Sequence, residues 1–137
     1  MKVHHTKERQ RTMHNYEFIL YERQGPVRII TLNRPSMLNA MSLDMEDEIH
    51  DALDVAEADS DARVIIVRGS GKAFSSGYEM AGDGRDEIDM ISMLPQGKTV
   101  AEHIKGWLEI DKRMVYNQTH ILELSKPVIA AVHGWCI

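Results

Sequence analysis

Two unbroken apolar runs limit what this chain can fold into: VIIV at 64–67 and VIAAV at 128–132. Each is short, rich in β-branched residues and bounded by turn or charged residues. Runs of this kind suit strands buried on both faces of a sheet. Between them, Thr99-Val100-Ala101-Glu102 forms a capping box that opens a long helical stretch. Along it Ile104, Trp107, Leu108, Asp111, Met114, Val115, Gln118, Ile121 and Leu122 share one broad face, and Lys126-Pro127 ends it. Strands linked through helices imply parallel pairing with right-handed crossovers.

The segment before the first run extends this pattern. Phe18, Leu20 and Glu22 alternate with Ile19, Tyr21 and Arg23, which predicts a strand. Gln24-Gly25-Pro26 reads as a turn and Val27–Leu32 as a second strand, so the two form a hairpin. Pro35 closes that strand in the loop Asn33-Arg34-Pro35-Ser36. Ser42 is placed to cap a helix whose Met45, Ile49, Ala52, Leu53 and Ala56 recur at helical spacing. The acids Asp44, Glu46, Asp47 and Glu48 favour its N-terminal end through the helix dipole and otherwise read as a solvated face. Asp59-Ser60-Asp61 closes it. The expected order is β-β-α-β-loop-α-β, with residues 82–97 as a mobile loop holding a helical turn around 88–93.

Composition excludes several classes. The 137 residues suffice for one domain with a real core. A formal net charge of −5 argues against a general nucleic-acid surface. No apolar run approaches the roughly 18 residues of a membrane span. Cys136 is the single cysteine, so no intrachain disulfide forms, in keeping with a cytoplasmic setting. Residues 1–15 read as a disordered tail without a secretory h-region, and Met13 could be the start of the native chain. His4 and His5 lack a third ligand nearby and read as solvated, so no metal site is expected.

The glycine-rich turn after the first apolar run admits three functional readings. Gly69-Ser70-Gly71-Lys72-Ala73 fails as a phosphate loop, because Ile66 and Ala73 stand where glycine and a hydroxyl residue are needed. Ala73-Phe74-Ser75-Ser76-Gly77 is one residue from a nucleophile elbow, which would make Ser75 a hydrolase nucleophile. Its base would come from His103, His120 or His133, which read instead as residues of regular elements. The third reading uses backbone. A small-residue loop ending at Gly77 can turn N–H groups towards a carbonyl oxygen and stabilise a thioester enolate. A tight strand exit with no ligand explains the same loop equally well.

Three ordered segments resemble the crotonase (enoyl-CoA hydratase/isomerase) family. IITLNRPSMLNA at 29–40 resembles its L-N-R-P-x-x-x-N-A signature. VIIVRGSGKAFSSGYEM at 64–80 resembles its strand followed by K-A-F-x-x-G-x-D/E, and KPVIAAVHG at 126–134 its K-P-V-I-A-A-V-x-G. The resemblance covers 16–137 and implies an α/β fold: a crotonase-like (ClpP/crotonase) spiral of ββα units, truncated before the C-terminal helical region. It implies that the Tyr78 backbone N–H is the first oxyanion donor. Ser36, Met37, Ser76, Gly77, Tyr78 and Met80 would line the coenzyme A and acyl path, coenzyme A being part of the substrate and not a separate cofactor. Ser36 departs from the basic residue often found there, and Glu79 replaces the usual Asp.

The resemblance also implies what would complete such a site: a second oxyanion N–H and two catalytic glutamates, all beyond Ile137. The chain by itself is therefore expected to be inactive as a hydratase. The full-length protein would be a homotrimer or hexamer that hydrates 2-enoyl-CoA in fatty-acid metabolism. A non-catalytic acyl-CoA-binding or interaction remnant is the reading from another class.

Overall fold

The computed structural model describes residues 15–79 and 99–137, with the side chain of Ile110 left aside. The expected tail, His4 and His5, Met80 and the loop at 82–97 fall wholly or largely outside these residues.

The hairpin forms as expected. β1 (Ile19–Gln24) pairs antiparallel with β2 (Val27–Leu32), and the turn is closed by Gly25 at φ 56°. Glu48 anchors the entry to β1, its carboxylate accepting from the N–H groups of Glu17, Phe18 and Ile19 at 2.7, 2.8 and 3.2 Å. α1 (Leu43–Ala58) starts at Ser42, whose Oγ accepts from the Met45 N–H. β3 (Val64–Gly69) then pairs parallel with β2, and β5 (Val128–Ala131) parallel with β3. The sheet order is β1-β2-β3-β5.

The core lies where α1 covers one face of this sheet. Ile19, Ile30, Leu32 and Ile65 of the strands meet Met45, Ala52, Leu53 and Ala56 of the helix. Full burial of each large side chain contributes about 1.5–3 kcal/mol. Arg28 is also buried, on the same face. It is held by Asp59 at 2.8 Å and by the carbonyls of Gly25 and Val27, which ties the hairpin to the end of α1. Lys126 completes that end: its Nζ donates to the carbonyls of Ala56, Glu57 and Asp59. A cation there satisfies carbonyls that a helix terminus leaves unpaired.

Three expectations need correction. A second, two-stranded sheet was not foreseen. β4 (Ala73–Ser75) pairs parallel with β6 (Trp135–Cys136), in a segment read as loop. Strands this short carry no periodicity. Next, β3 and β5 are not buried on both faces. Ile65 is fully buried, yet Ile129 is 52% exposed, because α1 covers one face only and β5 is an edge strand among the described residues. Finally, α2 (Val100–Glu123) has its expected capping box, but its apolar face is solvent-exposed at Ile104, Leu108, Val115 and Leu122. The helix meets α1 through polar side chains instead. Arg113 reaches Asp47 at 2.6 Å, and His120 meets His50 and Asp54. His120, expected on the helix surface, is 4% exposed.

Candidate functional site

The loop after β2 builds a clamp. Pro35 starts a 3-10 turn over Pro35–Met37, after which Leu38 and Asn39 adopt φ of 52° and 54°. Asparagine enters this left-handed region at less cost than other side chains. Asn39 is fully buried and joins three segments through its amide. Its Oδ1 accepts from the Arg34 N–H at 2.9 Å, and its Nδ2 donates to the carbonyls of Ser70 at 2.9 Å and Ala73 at 2.8 Å. Arg34 adds a second tie: its Nη1 donates to the Ala40 carbonyl and to Glu79 Oε2, both at 2.9 Å. That ion pair is nearly enclosed, at 10% and 11% side-chain exposure, and the guanidinium lies over the Phe18 ring. The L-N-R-P-x-x-x-N-A stretch thus fixes where the chain after β4 can run.

That chain holds the candidate donor. A Cβ on Gly69 would lie 2.3 Å from the Ala73 carbonyl oxygen, so only glycine lets the end of β3 approach β4 this closely. Beyond β4, the Ser76 N–H donates to the Leu38 carbonyl at 3.0 Å. Gly77 turns at φ 86°. Tyr78 then forms a parallel bridge with Met41: the Met41 N–H donates to the Gly77 carbonyl and the Glu79 N–H to the Met41 carbonyl, each at 2.9 Å. In a parallel bridge the bonds flank the middle residue, so the Tyr78 N–H points away from Met41. Among the described residues it meets no acceptor. Ile137 lies beside this peptide: its N–H donates to the Ser75 carbonyl at 3.1 Å, and a Cβ on Gly77 would come within 3.6 Å of its carbonyl oxygen.

The residues singled out from sequence fall into two groups. Met37 of the 3-10 turn is brought against Ser76, whose Oγ donates to the Met37 carbonyl at 3.4 Å; Ser36 precedes it in the same turn, and Gly77 and Tyr78 follow Ser76 along the chain. Met80 lies outside the described residues. Ser75 does not fit the nucleophile role. It is buried, its hydroxyl donates to the Asn39 carbonyl at 2.9 Å, and it accepts from the Gly77 N–H at 3.1 Å. The histidines are engaged elsewhere. His103 accepts from the Trp107 indole N–H, His120 packs on α1, and the His133 ring donates to the Gly71 carbonyl. Ser75 is a strut of the donor turn.

Sequence reasoning missed one neighbour of the donor. The Tyr78 hydroxyl donates to Glu46 Oε1 at 2.6 Å, and Glu46 is 9% exposed in the first turn of α1. The bond to this carboxylate, with burial, pushes the phenol up to about 12, so it stays protonated. Periodicity hinted at this only weakly, by setting Glu46 next to the apolar Met45. Both carboxylates flanking the donor are therefore committed, Glu46 to the phenol and Glu79 to Arg34. No group of three metal-ligating side chains occurs among the described residues. What the arrangement offers is one aimed N–H dipole on a turn held at both ends.

Comparison with known proteins gives this geometry a context. The family model described as Enoyl-CoA hydratase/isomerase matches residues 22–137. The chain is 36% identical over 127 residues to the mitochondrial Delta(3,5)-Delta(2,4)-dienoyl-CoA isomerase of Rattus norvegicus, covering 90% of this chain and 37% of that protein. It is 32% identical over 124 residues to the mitochondrial enoyl-CoA hydratase of Pongo abelii, covering 88% and 37%. A crystal structure of an enoyl-CoA hydratase/isomerase from Xanthobacter autotrophicus Py2 superposes with a TM-score of 0.66 at 36% identity, over 89% of this chain and 40% of that one. The chain thus spans about two-fifths of the length of the curated relatives it matches.

Proposed function

Because the chain belongs to the enoyl-CoA hydratase/isomerase family, we propose that its Tyr78 N–H binds the thioester oxygen of an acyl-CoA. The fold agrees with that membership, as a partial crotonase α/β fold. The observation that carries the reading is the donor itself: a backbone N–H without a protein acceptor among the described residues, aimed by Gly77 and clamped by Asn39 and Arg34.

The chemistry follows from charge. Forming an enolate, or adding water to a 2-enoyl thioester, moves negative charge onto the thioester oxygen. A fixed N–H dipole opposite that oxygen stabilises the charged state more than the neutral one, typically by about 2.7–4 kcal/mol per donor. Ser36, Met37 and Ser76 form the adjoining wall along which the coenzyme A portion of the substrate would run, and no separate cofactor is required. Protons must be handled by groups other than Glu46 and Glu79, which are both engaged. We therefore assign hydration of 2-enoyl-CoA to a whole protein, a homotrimer or hexamer, and no turnover to these 137 residues alone. A cytoplasmic location is part of the same proposal and rests on the free Cys136. Relatives of known compartment include mitochondrial and peroxisomal proteins, so immunolocalisation decides it.

Adding acetoacetyl-CoA to isotope-labelled protein should move the Tyr78 amide resonance most, with smaller shifts at Ser36, Met37 and Ser76. Crotonyl-CoA in the same buffer should remain unhydrated. An unmoved Tyr78 amide would sink the donor assignment, and turnover above a protein-free control would sink the claim of inactivity.

A further inference from the structure

Tyr78 carries its donor N–H and its side chain on the same Cα. Whatever the N–H holds must sit next to that side chain. A tyrosine has three staggered χ1 wells, and Tyr78 is 63% exposed, so little packing selects among them. The selection comes from α1, through the bond of 2.6 Å to Glu46. A hydroxyl-to-carboxylate bond is roughly twice as strong as one between neutral groups. The carboxylate is itself fixed, because it is 9% exposed on a helix whose first turn is capped by Ser42 and whose neighbour Met45 is fully buried. The ring therefore bridges the donor turn and α1 and cannot swing without breaking this bond.

We propose that Glu46 is a positioning residue for Tyr78, and that the anchored ring forms the wall that selects acyl groups unbranched at the carbon next to the thioester carbonyl. This rests on the reading of the Tyr78 N–H as the thioester donor. A carbonyl oxygen at about 3 Å from that nitrogen brings the adjacent acyl carbon close to the start of the Tyr78 side chain. A substituent on that carbon then meets the ring, or Ile137, which lies beside Gly77. A loose ring would yield by changing χ1, whereas an anchored one does not.

Binding of crotonyl-CoA and its 2-methyl analogue tiglyl-CoA, by titration calorimetry, tests the idea. One misplaced methyl group is worth about 10-fold or more in a shaped pocket, so wild type should prefer crotonyl-CoA by about that factor. Tyr78→Ala should bring the two within about threefold. Tyr78→Phe keeps the ring and removes the anchor, and Glu46→Leu removes it from the other end. Both should lose most of the preference, and combining them should lose no more. Glu46→Gln keeps an acceptor oxygen and should retain the wild-type ratio. The proposal is overturned if Tyr78→Phe and Glu46→Leu both keep the wild-type ratio, or if Tyr78→Ala does. Failure of wild type to bind either thioester would overturn the functional reading and the specificity role with it. The ring's anchoring would then still register as a hydroxyl proton at Tyr78 that Glu46→Leu abolishes.

Discussion

At the scale of single residues, this protein places its polar side chains as struts. Asn39 satisfies one backbone N–H and two backbone carbonyls that would otherwise be buried without partners. Removing the amide leaves those groups unpaired, at about 1–3 kcal/mol each if none finds water, and a non-Asn side chain at φ 54° adds about 1 kcal/mol. Asn39→Ala should therefore destabilise the fold by about 3 kcal/mol or more in urea denaturation. A loss below about 1 kcal/mol would show that the clamp is dispensable. The same logic separates the two serines of the donor turn. Ser75 is fixed by bonds to Asn39 and Gly77, while Ser76 presents its hydroxyl on an accessible edge. Asn39 and Arg34 stood out in the sequence as motif letters. That they hold the donor in place was not legible there, since their partners Ser70, Ala73 and Glu79 lie 31 to 45 positions away.

At the scale of elements, the contact between α1 and α2 depends on proton count. The Nδ1 atoms of His50 and His120 are 2.7 Å apart, so one must donate and the other accept. His120 Nε2 donates to Asp54 Oδ1 at 3.0 Å. Two imidazolium ions cannot keep this pair. Burial, then the charge of His120, hold His50 below the ordinary imidazole range, although Glu46, Asp47 and Asp54 oppose this. Tyr116 stacks on His120 and lies against His50, and Arg113 pairs with Asp47 on the same seam. The sign follows from linkage. Above about pH 6.5, His50 is neutral in both folded and unfolded chains, and its contribution is complete. As pH falls from there towards the lower folded value, the unfolded chain takes up more protons and stability is lost. Thermal unfolding should therefore show a steeper decline from about pH 7 to pH 5 in wild type than in His50→Gln. Equal declines would remove His50 from the account. Sequence reading placed α2, its capping box and its apolar stripe, but not the face that meets α1, because an apolar stripe signals burial only if something arrives to cover it.

At the scale of the whole molecule, the uneven burial has a consequence for association. Among the described residues β5 has a neighbour on one side only, and Ile129, Val132, Trp135 and Ile137 are all more than half exposed around it. An edge strand with unpaired backbone groups and exposed apolar side chains is a template for pairing with another chain. The purified chain should self-associate with rising concentration in light scattering. Ile129→Lys, which puts a charge on that edge without touching the core around α1, should reduce the effect. A monodisperse monomer at all concentrations would count against this. The hairpin, both helix caps, the strands β3 and β5 and the turn at Gly77 were determined by the sequence alone, because each depends on residues within a few positions of one another. The tertiary structure decided which face each element buries, where Ser75, His120 and Glu46 send their polar atoms, and which way the Tyr78 ring is held. Those outcomes join residues from 32 to 70 positions apart, and only the packing of α1, the sheet and the donor turn brings them within bonding distance.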